Sequence, residues 1–410
     1  MKRLILGLMF VCLATVIYLL SVPTTVNIGY YTDVGNIMHV ITADMKHDRM
    51  ISWKSQIIGE SGNLEIRPKQ SNKITRIKAE AVELPSYNGG KPFTLYTSHI
   101  RNLTVGTDYE YRVSVGKRQS AWKEFRTEPD STLFKALIFG DSQSLNYEDW
   151  AKTAQIAWKN NADVAFFINM GDLVDNGQDE LQWNAWFDGA AGLLEAIPIV
   201  PIMGNHEAYS LDWNMAKPNY YLSLFALPVN GPAGLERYAY SYDYGDVHFV
   251  VLNTQLKELR EWYPDLLEQQ KKWLIEDLSK TQKKWKVVLM HRGVWIYPFN
   301  GPLDECGQTF VPVFDKYNVD LVFIGHVHSY ARTKALKNGK LDPSGTIYIS
   351  TGRSGDKVWE KSPQKPVDEI YYNPLDMPNY LVFEASNDTL KVAAFKLNGE
   401  LIDQTEIKKQ

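Results

Sequence analysis

Between residues 26 and 127, apolar and polar positions alternate in short runs at 38–42, 49–54, 63–67, 74–82, 94–101, 108–115 and 122–127. Period-two alternation sends successive side chains to opposite faces of an extended chain. Seven such runs with no helical stretch between them predict a β-sandwich over residues 26–127. Glu128-Pro129-Asp130-Ser131 reads as a linker. Beyond it, over residues 133–408, the apolar runs become continuous, at 134–139, 164–168, 199–203, 247–252, 285–290, 319–324 and 346–350. Runs of that kind belong to strands covered on both faces, and they alternate with helical patterns at 147–159 and 265–279. The second helix carries a mostly apolar stripe (Leu266, Leu267, Gln270, Trp273, Leu274, Asp277, Leu278) that core packing explains fully. A late hairpin is expected at 379–383 and 390–395. The stretch from Gly352 to Met377, rich in Pro, Tyr and charge, reads as a long loop bordering a substrate site.

Residues with metal-ligand chemistry stand immediately after five of the continuous runs. Phe139 is followed by Gly140-Asp141, and Ile168 leads through Asn169-Met170 to Gly171-Asp172. Met203 is followed by Gly204-Asn205-His206-Glu207, Met290 by His291, and Ile324 by Gly325-His326-Val327-His328. Open α/β sheets build their sites outside the carboxyl ends of strands, so these five endings are expected to converge on one edge. Glycine before four of them allows a sharp turn and a close approach. A single Gly-Asp or Gly-Asn pair is ordinary turn chemistry; five in this order are not. Two Asp, one Asn and three His form a mixed nitrogen and oxygen set suited to Fe, Zn or Mn. In an extended segment His326 and His328 would face the same way and serve two neighbouring ions. A water trapped between two such ions becomes hydroxide near neutral pH, which fits in-line displacement at phosphorus.

Composition adds compartment and excludes little else. The 410-residue chain is 44% hydrophobic and 22% charged, long enough for two domains, and its net charge of −4 gives no whole-protein reason to expect nucleic acid as partner. Lys2 and Arg3 precede seventeen uncharged, mostly apolar residues at 4–20, the layout of an export signal over residues 1–22. No small-x-small cleavage site precedes Pro23, which favours an uncleaved anchor over a cleaved signal peptide; either way the body lies outside the cytoplasm. Cys12 sits in the apolar segment and Cys306 is alone in the remainder, so the exported part has no intrachain disulfide.

The series Gly-Asp, Gly-Asp, Gly-Asn-His-Glu, the His after Val287-Val288-Leu289-Met290, and Gly-His-Val-His-Ser-Tyr resembles the calcineurin-like metallophosphoesterases. The turn and strand around Tyr109 resemble the tyrosine corner of fibronectin type III domains. That domain, and the wording of the last three motifs, resemble the purple acid phosphatase branch. The resemblance covers residues 26 to the C-terminus. It implies a fibronectin-like sandwich followed by an α/β domain of layered sheets flanked by helices, with two divalent or trivalent metal ions. Asp172 would bridge them, Asp141 and His328 would hold the first, and Asn205, His291 and His326 the second. His206 would contact substrate phosphate and act as general acid; Glu207 would either orient His206 or face solvent.

The chain departs from the purple branch at Asp175, where the branch has the tyrosine that ligates ferric iron and gives the colour. Gln143 stands where other members of the superfamily carry a histidine. Both are candidates for the first metal or its surroundings, and a colourless enzyme with an exchangeable first ion is expected. Arg292, Arg332 and Arg353 suit phosphate pairing, with Arg353 in Gly-Arg-Ser-Gly singled out as a substrate candidate. His248, inside an apolar run, reads as structural, and His39, His47 and His99 as surface or packing residues. The expected activity is hydrolysis of small phosphate monoesters. The alternatives are a phosphodiesterase acting on nucleotides or envelope polymers, and a non-catalytic surface-binding module.

Overall fold

The computed structural model describes residues 34–85, 91–127, 129, 131–296 and 302–409. The expected export segment at 1–22 lies outside the described residues, as do Glu128 and Asp130 of the expected linker. Among the described residues no helix is long and apolar enough to cross a membrane.

The alternating runs form the expected sandwich. Strands Gly35–Val40, Arg49–Ser55, Phe93–Ile100 and Glu80–Leu84 lie side by side in one sheet, facing Gly62–Pro68, Thr75–Lys78, Asp108–Val115 and their short neighbours in the other. Trp53 stacks on Tyr96 at 5.6 Å between them, and the backbone N–H of Thr104 donates to Tyr109 Oη at 2.9 Å, closing the tyrosine corner. The sandwich is not a separate bead on a linker. Gly35–Val40 pairs in parallel with Pro198–Pro201, His39 opposite Pro198 and Val40 opposite Ile199, so one ten-stranded sheet runs from the N-terminal domain into the second.

In the second domain, Phe134–Phe139, Phe166–Asn169 and Pro198–Pro201 run parallel as neighbours in that sheet. A seven-stranded sheet faces them, with Val247–Leu252, Trp285–Met290, Leu321–Ile324 and Ile347–Thr351 parallel at its centre. The rings of Phe134, Phe166, Phe249 and Phe383 meet between the two sheets at 5.8–6.4 Å. On the outer face of the second sheet, Val250, Val288, Met290, Val322 and Ile324 pack under the helices Leu266–Lys280 and Glu305–Tyr317. Each central strand is therefore apolar on both sides, which is why its run is continuous. The polar residues that follow the five runs emerge together at the carboxyl ends of the two parallel sets.

Candidate metal centre

The turns after these strands adopt backbone that non-glycine residues rarely take. Asp172, His326 and His328 have φ of 50°, 69° and 53°. Left-handed geometry costs about 1–3 kcal/mol at each such residue and persists where the surroundings enforce it, characteristically at functional sites. His326 and His328 therefore do not sit in extended chain; a double left-handed turn aims them. A Cβ on Gly204 would run into Asp172 Oδ1, so this glycine is what lets the two strand ends close on one another.

Six of the predicted residues come together. Ligand atoms of Asp172, His291 and His326 lie within 4.8 Å of one another, as do those of Asp141, Asp172 and His328, with Asp172 common to both groups. Asn205 Oδ1 is 3.2 Å from His291 Nε2. Two of the imidazoles are oriented from behind: His291 Nδ1–H donates to Met170 O at 2.8 Å and His328 Nδ1–H to Lys357 O at 2.8 Å. A carbonyl only accepts, so both rings carry their proton on Nδ1 and turn Nε2 to the centre. There His291 Nε2 is 3.1 Å from Asp172 Oδ2, and His328 Nε2 is 3.1 Å from Asp141 Oδ2.

The electrostatics follow from burial and proximity. Burial opposes charge on His291, but Asp172 and Asp141 more than offset it and raise its pKa to about 9. Burial works against the Asp172 carboxylate too, yet His291 and His206 hold its pKa well below the usual range. His326 goes the other way: burial first, then His291 and Arg292, push it well down, so its ring is neutral. A proton on His291 Nε2 thus stands where a cation would, and the two compete. His326 Nδ1 and Gln143 Oε1 are buried with no hydrogen-bond partner among the described residues. Buried polar atoms are seldom left so, and a centre rich in carboxylate and imidazole nitrogen with two spare donors fits a pair of transition-metal ions.

The remaining candidates fall into place around this centre. His206 Nδ1–H donates to Asp175 O at 2.6 Å, leaving Nε2 toward the centre, 4.0 Å from Asp172 Oδ2. Gln143 is within reach, with Nε2 3.1 Å from His328 Nε2 and 3.4 Å from Asp172 Oδ2. Asp175 belongs to neither donor group; its carboxylate pairs with Lys357 Nζ and lies 3.4 Å from His206 Nδ1. Glu207 neither orients His206 nor meets solvent. It is buried and accepts the backbone N–H groups of Asp172 at 3.0 Å, Leu173 at 2.8 Å and Gly204 at 2.7 Å, holding two ligand turns together. Burial and the Asp172 charge push its pKa up to about 8 against those donors.

Arg353 is corrected as a substrate residue. Its Nε donates to Pro374 O at 2.8 Å and its Nη1 to Gly355 O at 2.5 Å, so the buried guanidinium is spent on the backbone of the 353–374 stretch, which is not all loop but carries the strand Asp368–Tyr372. Arg332 is likewise taken by Asp403 and Glu369, and Arg292, next to His291, by the buried Glu258 at 2.9 Å. The part of this stretch before the strand does border the centre: Lys357 reaches Asp175, and the ring of Trp359 lies 5.4 Å from His326 and 5.5 Å from His328. The rings of Tyr209 and Trp213 stand 5.6 and 6.0 Å from that of His206. No local sequence signal marks Lys357, Trp359 or Trp213; loop closure alone brings them to the site.

Comparison with known proteins gives a consistent picture. Residues 134–330 match the family described as Calcineurin-like phosphoesterase, and residues 35–127 match Purple acid Phosphatase, N-terminal domain. The chain is 28% identical over 348 residues to Purple acid phosphatase 21 of Arabidopsis thaliana, covering 81% of this chain and 75% of that one. It is 27% identical over 350 residues to a purple acid phosphatase of Glycine max, covering 78% and 72%. The structure superposes on a purple acid phosphatase from yellow lupin seeds with a TM-score of 0.79 at 18% identity, over 92% of this chain and 74% of that one.

Proposed function

We propose that this chain, which belongs to the calcineurin-like phosphoesterases and carries the purple acid phosphatase N-terminal domain, hydrolyses small phosphate monoesters at a pair of metal ions outside the cytoplasm. That it is a phosphate-ester hydrolase follows from the family. The observation that carries the dinuclear reading is Asp172, whose buried carboxylate is shared by two donor groups. Asp141 and His328 would hold one ion, with Gln143 beside it, and Asn205, His291 and His326 the other. Two ions so held supply Lewis-acid polarisation of phosphate oxygens and a water acidic enough to act as nucleophile. The identity of the metals, Fe, Zn or Mn, is left open by a donor set that suits all three.

The residues around the ions do the rest. Glu207 and the carbonyls of Met170 and Lys357 fix the ligands before substrate arrives, so little reorganisation is needed at the moment of reaction. His206 holds its Nδ1 proton on Asp175 O and presents Nε2 to the space in front of Asp172, where it can deliver a proton to the departing alcohol oxygen. Asp175, tied to Lys357, supports this from behind rather than as a metal ligand, which favours a colourless protein. The placement outside the cytoplasm rests on the basic, then apolar, layout of residues 1–22.

The test is Asp172→Asn, assayed with p-nitrophenyl phosphate and bis-p-nitrophenyl phosphate with Mn, Zn and Fe supplied. The wild type is expected to prefer the monoester, and the variant to lose both bound metal and turnover. A variant that keeps most of its activity would show that Asp172 is not the bridge. Preference for the diester would move the substrate class.

A further inference from the structure

Beside His206, residues 208–216 double back tightly. Ala216 N–H donates to Ala208 O at 2.9 Å, Ser210 N–H to Asn214 O at 2.8 Å, and Trp213 N–H to Ser210 O at 2.9 Å. Asn176 Nδ2 donates to Ser210 O at 2.6 Å, tying the tip to the loop that follows Asp172. A loop bonded in this way presents its side chains in fixed directions. All of residues 211–215 are exposed, and three of the five are large and apolar: Leu211, Trp213 and Met215, exposed by 40%, 53% and 42%. Single exposed apolar residues are ordinary, but three at alternate positions of one short loop are a surface. Trp53, Trp150, Trp183, Trp186 and Trp285 are by contrast fully buried.

Trp213 also has φ of 60°, a conformation unfavourable for a bulky residue, so the backbone is bent to hold this indole in water. Its ring lies 6.0 Å from that of His206 and 6.1 Å from Tyr209. If His206 hands its proton to the departing oxygen, the organic group on that oxygen leaves past His206, toward the indole. An aromatic ring there gains contact with indole beyond simple area burial.

We propose that Trp213 is a specificity residue for the alcohol part of the substrate, and that the site selects phosphate monoesters whose leaving alcohol carries a flat aromatic ring near the ester oxygen. This rests on the phosphatase reading and adds the class of ester it takes. The experiment compares kcat/KM for 2-phenylethyl, 2-cyclohexylethyl and ethyl phosphate, all primary alkyl esters, so that leaving-group chemistry largely cancels in the ratios. The wild type is expected to prefer the phenylethyl ester roughly tenfold over ethyl, and over cyclohexylethyl by a smaller factor. Trp213→Ala should bring the phenylethyl-to-ethyl ratio to within about twofold, and Trp213→Phe should retain most of it. Equal rates on all three esters, a cyclohexylethyl ester as good as the phenylethyl one, or a ratio unmoved in Trp213→Ala would overturn the assignment. Should the alanine variant not fold, the wild-type ratios and the phenylalanine variant decide it. Turnover without preference removes this inference alone, whereas no turnover of any ester with any metal removes the phosphatase reading as well.

Discussion

His248 and His291 lie on neighbouring parallel strands of one sheet, His248 at the amino end of its strand and His291 just past the carboxyl end of the next. Both have pKa values raised to about 9 by carboxylates that outweigh burial. The environments are otherwise opposite. His248 gives one ring nitrogen to Asp243 and the other to Asp277, each at 2.7 Å, so its hydrogen-bonding capacity is spent. His291 spends Nδ1 on a backbone carbonyl and turns Nε2 toward a carboxylate it shares with other imidazoles. One cluster is a closed ion-pair clamp; the other is an arrangement left open at its centre. Histidine with aspartate is therefore no signal of a metal site by itself. What distinguishes the two is whether each nitrogen has its own partner or several converge on one point.

Substitutions should separate the two clusters cleanly. At the centre, His326→Ala and His328→Ala should each lower kcat/KM by roughly a thousandfold or more, the loss of several kcal/mol of transition-state stabilisation. Metal analysis should find one of the two ions missing in each, and the ion beside His328 should be the more easily stripped by chelator. An alanine variant that kept both its ions would remove that histidine from the ligand set. Next in size, if the ring serves the proton and not the metal as proposed, His206→Ala should lower kcat by roughly 10²–10⁴-fold while both ions remain bound.

The clamp should answer in stability. A histidine whose folded pKa is raised stabilises fully below its unfolded value, about 6.5, and that contribution is lost as pH rises through about 9. The wild type is expected to exceed His248→Gln by up to about 3 kcal/mol at pH 6, converging with it above pH 9, read by denaturant midpoints. A gap independent of pH would mean that the two carboxylates do not hold an imidazolium.

Much of this was legible in the chain itself. The switch from alternating to continuous apolar runs marked both the sandwich and the doubly covered strands, because burial on one face or two imprints directly on sequence. The candidate ligands could be found because each follows its strand within a few residues. Other elements left no such imprint. The helix Glu180–Gly189 buries Trp183, Trp186 and Phe187 together with the polar Glu180 and Asn184, which blurs any apolar stripe, and Glu305–Tyr317 carries Pro312 inside it. The pairing of Gly35–Val40 with Pro198–Pro201 joins residues far apart in sequence, so no local pattern announces it. Arg353 shows the converse error. Gly-Arg-Ser-Gly has the look of an anion site, and only the carbonyls of Gly355 and Pro374 reveal that its guanidinium is occupied.

The central claim is that two ions share Asp172, and anomalous diffraction from crystals of the metal-loaded protein tests it most directly. Two peaks are predicted, one bounded by Asn205, His291 and His326 and the other by Asp141 and His328, with Asp172 reaching both. A single peak, or two peaks that Asp172 does not join, would contradict it.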